Sequence, residues 1–235
     1  MKKTIGTAAI MLGLLAPFAA QAQAEISANV GYVSEYYYRG IAQKTSSASA
    51  GLDMAIGGLS LGTWGADVGD GAEIDLYGGF GLDLNDQISV SVGGTGYFYT
   101  GQFDDTYVEA NLGLGLGPLA LEYSFGEYHQ PPRWTWDGDG DGTPDPVDYS
   151  FLGVSLEGEA LFATLGLWGT DKMPEDMFDS GKYVEAGYAF SAADLDFTVS
   201  AILNDSELSG TLNDYGNPDG NLTFVLGVSK TFGLN

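Results

Sequence analysis

Residues 26–43 read ISANVGYVSEYYYRGIAQ, and their alternation decides the fold. Ile26, Ala28, Val30, Tyr32, Tyr36 and Tyr38 share one parity, whereas Ser27, Asn29, Gly31, Glu35 and Arg39 share the other. Successive side chains of a strand point to opposite faces, so the segment has an apolar face and a polar face. It is too long for an ordinary strand and suits one that crosses a bilayer at a tilt. The pattern recurs to the C-terminus, as in Ile74, Leu76, Phe80, Leu82 and Leu84 against Glu73, Asp75, Tyr77 and Asp83. This is the signature of an all-β protein, an antiparallel transmembrane β-barrel of about twelve strands in up-and-down order.

Connections between the runs are expected to alternate in length. Those near 57, 85, 117, 158 and 192 are tight, with Gly57-Gly58 a hairpin signal, while those after Arg39, Val68, Tyr99, Tyr128, Gly169 and Leu203 are mostly longer. Short periplasmic turns and longer extracellular loops then place both termini in the periplasm. Alternation alone also fits a soluble barrel with its apolar face inward. Three features favour the membrane. The polar parity carries Gly, Ser, Thr, Tyr and carboxylates, as a wet lumen would. The 36 glycines suit crowded barrel strands. Tyr36, Tyr37 and Tyr38 fall where an interfacial aromatic girdle is expected.

Residues 1–24 are expected to be a cleaved secretory signal, with basic Lys2 and Lys3, an apolar stretch from Ala8 to Leu15, and small-residue steps ending at Ala24. Residues 25–235 would form the single barrel domain, with a long extracellular loop at 129–148. No other segment approaches the length of a membrane helix, and there is no cysteine for a disulfide or thiolate metal site. Net charge is −24 and falls to −26 without Lys2 and Lys3, which argues against nucleic-acid binding.

The segment NVGYVSEYYYRGIAQ resembles the opening of the proteobacterial Gcw_chp family, conserved hypothetical proteins described as TorF-like porins. Its aromatic-Arg-Gly core is matched by Tyr38-Arg39-Gly40. Gly62-Thr63-Trp64-Gly65 and Ser229-Lys230-Thr231-Phe232 are also similar. The sequence departs from the family at Tyr38, Ala42 and Lys44. The resemblance implies an outer-membrane barrel more strongly than any particular solute.

With the apolar parity toward lipid, the inward residues include Glu35, Asp53, Glu73, Asp75, Asp83, Glu109, Glu122, Glu157, Glu185 and Asp196, with Arg39 the one basic residue among them. Glu35, Arg39, Asp53, Glu73, Asp75, Glu109 and Glu185 are the candidate lumen and selectivity residues. An acidic lumen raises the local concentration of cations. Arg39 could form a constriction, a solute contact or a structural ion pair. Twelve strands fall between a filled interior and an open channel, so an ion-selective pore and a plugged barrel are both compatible with the pattern.

The loop segment DGDGDGTPDPVD, residues 137–148, has the ligand spacing of an EF-hand. Asp137, Asp139, Asp141, Asp145 and Asp148 fall at positions 1, 3, 5, 9 and 12, with Gly142 at 6 and the Thr143 carbonyl at 7. It also resembles the calcium repeats of thrombospondin type 3. Ca2+ is the expected ligand, although Asp148 is shorter than the usual bidentate Glu and flanking helices are absent. The single His129 has no hydrolase motif around it, so an enzyme is not expected. The reading is a porin-like channel of the bacterial outer membrane that passes small solutes or cations. Its surroundings would be outer-membrane lipid and lipopolysaccharide. The alternative is a non-conducting structural or adhesive barrel with a calcium-stabilised loop.

Overall fold

The computed structural model describes residues 24–129, 137, 139–142, 145–170, 180–209 and 221–234. The expected signal segment, apart from Ala24, lies outside them, as do Thr143 and much of the three longest loops. The strands are β1 (Glu25–Tyr38), β2 (Ile41–Ile56), β3 (Leu59–Gly69), β4 (Gly71–Asn85), β5 (Ile88–Tyr99), β6 (Tyr107–Leu116), β7 (Leu119–Tyr128), β8 (Val147–Glu157), β9 (Leu161–Thr170), β10 (Ser180–Ala192), β11 (Leu195–Asn204) and β12 (Asn221–Gly233). A single helical turn, α1 (Ser206–Ser209), precedes β12. Each strand pairs antiparallel with its sequence neighbours, and β12 closes on β1 from Ser27↔Gly233 to Val33↔Gly227. Closure leaves no unpaired edge, the condition for a sheet in hydrocarbon.

Burial resolves which face meets which solvent. On β4, Leu76, Phe80 and Leu82 are 54%, 50% and 50% exposed, whereas Glu73 and Asp75 are 1% and 0% exposed. The apolar parity therefore points outward, and the same holds for Val92, Leu112, Leu165, Leu203 and Leu226 around the wall. Exposed apolar side chains in such number around the wall mark a surface that meets an apolar phase or partner. The soluble alternative, with the apolar face inward, fails on this point.

Two expectations about β1 need correction. The connection after β1 is not long: β1 turns into β2 through Arg39-Gly40. Arg39 and Gly40 both have positive φ, 45° and 83°, the geometry of a two-residue hairpin turn whose twist matches that of its strands. Nor do Tyr36, Tyr37 and Tyr38 form an interfacial girdle. They are only 2%, 9% and 9% exposed and lie inside the barrel. The β1–β2 register shifts between Tyr36 and Tyr37. The shift leaves Gln43 of β2 without a partner on β1, and such a bulge bends the hairpin and increases its twist there. Val30 and Tyr32, before the shift, remain outside at 48% and 45% exposure.

Candidate functional site

The inward bend carries the hairpin tip across the lumen. In a twelve-strand ring, β7 stands opposite β1, and the Arg39 side chain from the tip reaches β6 and β7. Its Nη1 donates to Glu109 Oε2 at 2.8 Å and its Nη2 to Glu109 Oε1 at 2.9 Å. Nη2 also donates to Glu122 Oε1 at 2.6 Å and to Ser124 Oγ at 3.0 Å. The two-point approach to Glu109 uses the planar fork of guanidinium, which lysine cannot reproduce. The guanidinium carbon lies 4.4 Å from the centroid of the Phe151 ring on β8 and 5.1 Å from that of Tyr38.

The wall is prepared for this cation by its own residues. Glu109 accepts hydrogen bonds from Tyr97 and Tyr149 at 2.9 Å each and from Asn111 Nδ2 at 2.6 Å. Glu122 accepts one from Ser124 at 2.9 Å. The tip backbone is held as well: Trp168 Nε1 donates to the Arg39 carbonyl and Asn204 Nδ2 to the Gly40 carbonyl, both at 2.9 Å. Gly40 lies so near Tyr183 that a Cβ there would come within 2.5 Å of the ring. Glycine is thus required twice, by positive φ and by close approach. Around the clamp, Tyr37, Tyr97, Tyr149, Phe151, Trp168 and Tyr183 join the packed cluster that fills this part of the lumen, and Leu208 of α1 joins it too.

The sequence candidates occupy three settings. Glu109 belongs to the clamp. Glu73 and Asp75 are buried on β4, and Tyr36 donates to Glu73 Oε1 at 2.6 Å. Glu35 and Glu185 are half-buried and line a lumen pocket with Arg39, Glu122, Ser155 and Thr164. Asp53 sits farther toward the short-turn end, accepting from Asn29 Nδ2 at 3.1 Å and Tyr77 at 2.6 Å. Arg39 is therefore no free strand-face cation paired in sequence with Glu35, but a tip residue neutralised by the far wall. Glu122, which belonged to the wider inward set, proves to be the second carboxylate of the clamp. Its inward parity was visible in the sequence; its partner was not.

The acidic loop only partly matches the EF-hand spacing. Carboxylate oxygens of Asp137, Asp139 and Asp145 lie within 4.8 Å of one another. Asp137 accepts from the amides of Gly140 at 2.6 Å and Gly142 at 2.8 Å, which curls the chain around it. Asp148 lies apart, exposed within β8 and paired in register with Glu127, because strand pairing begins at Val147. Asp141 is described but is not in the three-carboxylate group, and Thr143 is outside the described residues.

Comparison with known structures shows a likeness of fold. The NanC porin aligns with a TM-score of 0.56 at 12% identity, over 87% of this chain and 98% of its own. A membrane protein solved in work on in meso crystallization aligns with a TM-score of 0.56 at 9% identity, over 89% and 84%. OprD of Pseudomonas aeruginosa aligns with a TM-score of 0.41 at 16% identity, over 94% and 68%. No curated protein matches this sequence. Residues 18–232 match a family model, and the chain belongs to that family, Gcw_chp, bacterial proteins of unknown function.

Proposed function

We propose that this protein is a porin-like channel of the bacterial outer membrane, with an acidic, cation-favouring lumen for passive passage of small solutes or ions. The supporting observation is the acidic lumen pocket. It is lined by Glu35, Glu122 and Glu185, and its one basic lining residue, Arg39, is already neutralised by Glu109 and Glu122. The field left in the pocket is negative and acts through a low-dielectric wall, which concentrates cations. Arg39 and Gly40 of the hairpin tip line this pocket, so the clamp would set how far the channel opens. The outward apolar belt suits outer-membrane lipid, and the long-loop end would face lipopolysaccharide and the exterior. The reading assigns no catalytic group.

Reversal potentials across a salt gradient, recorded on the refolded barrel in a planar bilayer, test the proposal. Cation preference that weakens when Glu35 and Glu185 are replaced by Gln supports it. Anion preference removes the selectivity mechanism. Absence of conductance, in the parent and in a variant lacking the Arg39 side chain, would favour the second reading, a non-conducting structural or adhesive barrel. The filled lumen around the clamp is the observation behind that second reading. We also propose that Asp137, Asp139 and Asp145 hold Ca2+ in the loop, on the strength of their clustered oxygens.

A further inference from the structure

The lumen contains a second acidic centre that the arginine clamp does not serve. Glu73 and Asp75 stand two residues apart on β4 and share its inward face. In register, Asp75 is flanked by Trp64 on β3 and Tyr97 on β5. The hydroxyls around it are committed elsewhere: Tyr36 to Glu73 Oε1, Tyr97 to Glu109 and Tyr77 to Asp53. Arg39 is taken up by Glu109 and Glu122, and Lys44 by Asp67. Among the described residues, neither oxygen of Asp75 nor Oε2 of Glu73 has a hydrogen-bond partner.

Two carboxylates at 1% and 0% exposure cannot both stay charged without compensation, since each uncompensated buried ion costs several kcal/mol. A proton would remove one charge but add an O–H donor, and it would leave other acceptors open. A hard cation satisfies several oxygens at once and adds no donor. We propose that Glu73 and Asp75 bind a divalent hard cation of the calcium type, inside the barrel between the inward hairpin and the β3–β5 wall. The charge of two carboxylates matches that of the ion. Tyr36 reaches Glu73 from the hairpin, so the ion neutralises the wall against which the hairpin rests and favours its inward position. The site deepens the proposal of a cation-favouring lumen, but its occupancy is measured without conduction, so the two ideas can fail separately.

The test uses the full mature chain folded in detergent and treated with chelator. It carries Asp137→Asn and Asp139→Asn so that the loop does not contribute. Terbium serves as the calcium surrogate, because Trp64 and Tyr97 beside Asp75 would sensitise its emission. The expected result is one bound terbium per barrel with sensitised emission that calcium displaces. Asp75→Asn should weaken binding by ~10-fold or more, since it removes one of the two negative charges that hold the ion. Without metal, that variant should be at least as stable as its parent, because an unpaired buried charge has gone. If Asp75→Asn does not fold, Glu73→Gln decides by the same affinity criterion. Absent emission, or affinity unchanged in the variants, overturns the site. So does a protonated-carboxyl infrared band at neutral pH that Asp75→Asn removes and calcium leaves untouched.

Discussion

Arg39 and Glu109 form a two-point fork across the barrel, at 2.8 and 2.9 Å, although one sits on a hairpin turn and the other on a strand of the far wall. Glu109 keeps three further donors, from Tyr97, Asn111 and Tyr149. The anionic half of the clamp is thus held by the wall itself, while the cationic half arrives on the tip of the first hairpin. That asymmetry makes the hairpin the part whose removal changes the lumen most.

Replacing Arg39 by Ala leaves two lumen carboxylates without their cation. Breaking one partner of a buried pair costs about 3–5 kcal/mol, and denaturant unfolding in detergent should show a loss of that order. Adding Glu109→Gln should recover part of it, because the stranded charge goes as well. Single-channel recordings should show larger conductance in Arg39→Ala than in the parent. A loss under ~0.5 kcal/mol, with conductance unchanged, would make the clamp a bystander.

Tyr36→Phe removes the one hydrogen bond from the hairpin to buried Glu73. A buried acceptor that loses its donor costs about 1–3 kcal/mol. Tyr188→Phe on the outward face, where Tyr188 is 49% exposed, should stay within ~0.5 kcal/mol. Comparing the two unfolding midpoints checks whether Tyr36 is an interior residue. Equal effects would return Tyr36 to the outer surface.

Leu76→Arg tests the outward belt directly, since Leu76 is 54% exposed in the middle of β4. In a bilayer, arginine on the lipid face should cost ~2–4 kcal/mol near the midplane. On a water-exposed surface the same change would be nearly neutral and would improve solubility. Folding yield into lipid vesicles gives the answer, and an unaffected yield would contradict the membrane-facing assignment.

The acidic loop separates two calcium geometries. If Asp137, Asp139 and Asp145 form the site, Asp139→Asn should abolish a calcium response measured by calorimetry in the ~0.1 to 1 mM range. Asp148→Asn, altering a residue within β8, should leave the response intact. Dependence on Asp148 would instead restore the full EF-hand spacing, and no heat with either protein would leave the loop merely acidic.

Much of this architecture is local in origin, and so was readable residue by residue. Alternation at period two marks strands wherever the two faces meet different surroundings, which holds for β4 along most of its length. Ser34 was the local sign of the break in β1, because it puts a hydroxyl on the apolar parity just before three consecutive tyrosines. In the structure its Oγ accepts from the Leu226 amide, and the strand bends soon after. A girdle and an inward bend both use tyrosines, so composition there could not separate them.

The sequence by itself determined the strand number, their antiparallel order and the gathering of the carboxylates on the face opposite the apolar side chains, since each follows from periodicity and turn chemistry between neighbours. Only the tertiary structure decided that apolar side chains face out, that the first hairpin folds into the lumen, and which carboxylates meet Arg39. Those outcomes depend on residues 70 and 83 positions apart, Arg39 with Glu109 and with Glu122, brought together by closure of the ring. Charge pairing at such separation depends on where the chain returns in space, and local alternation carries no record of it.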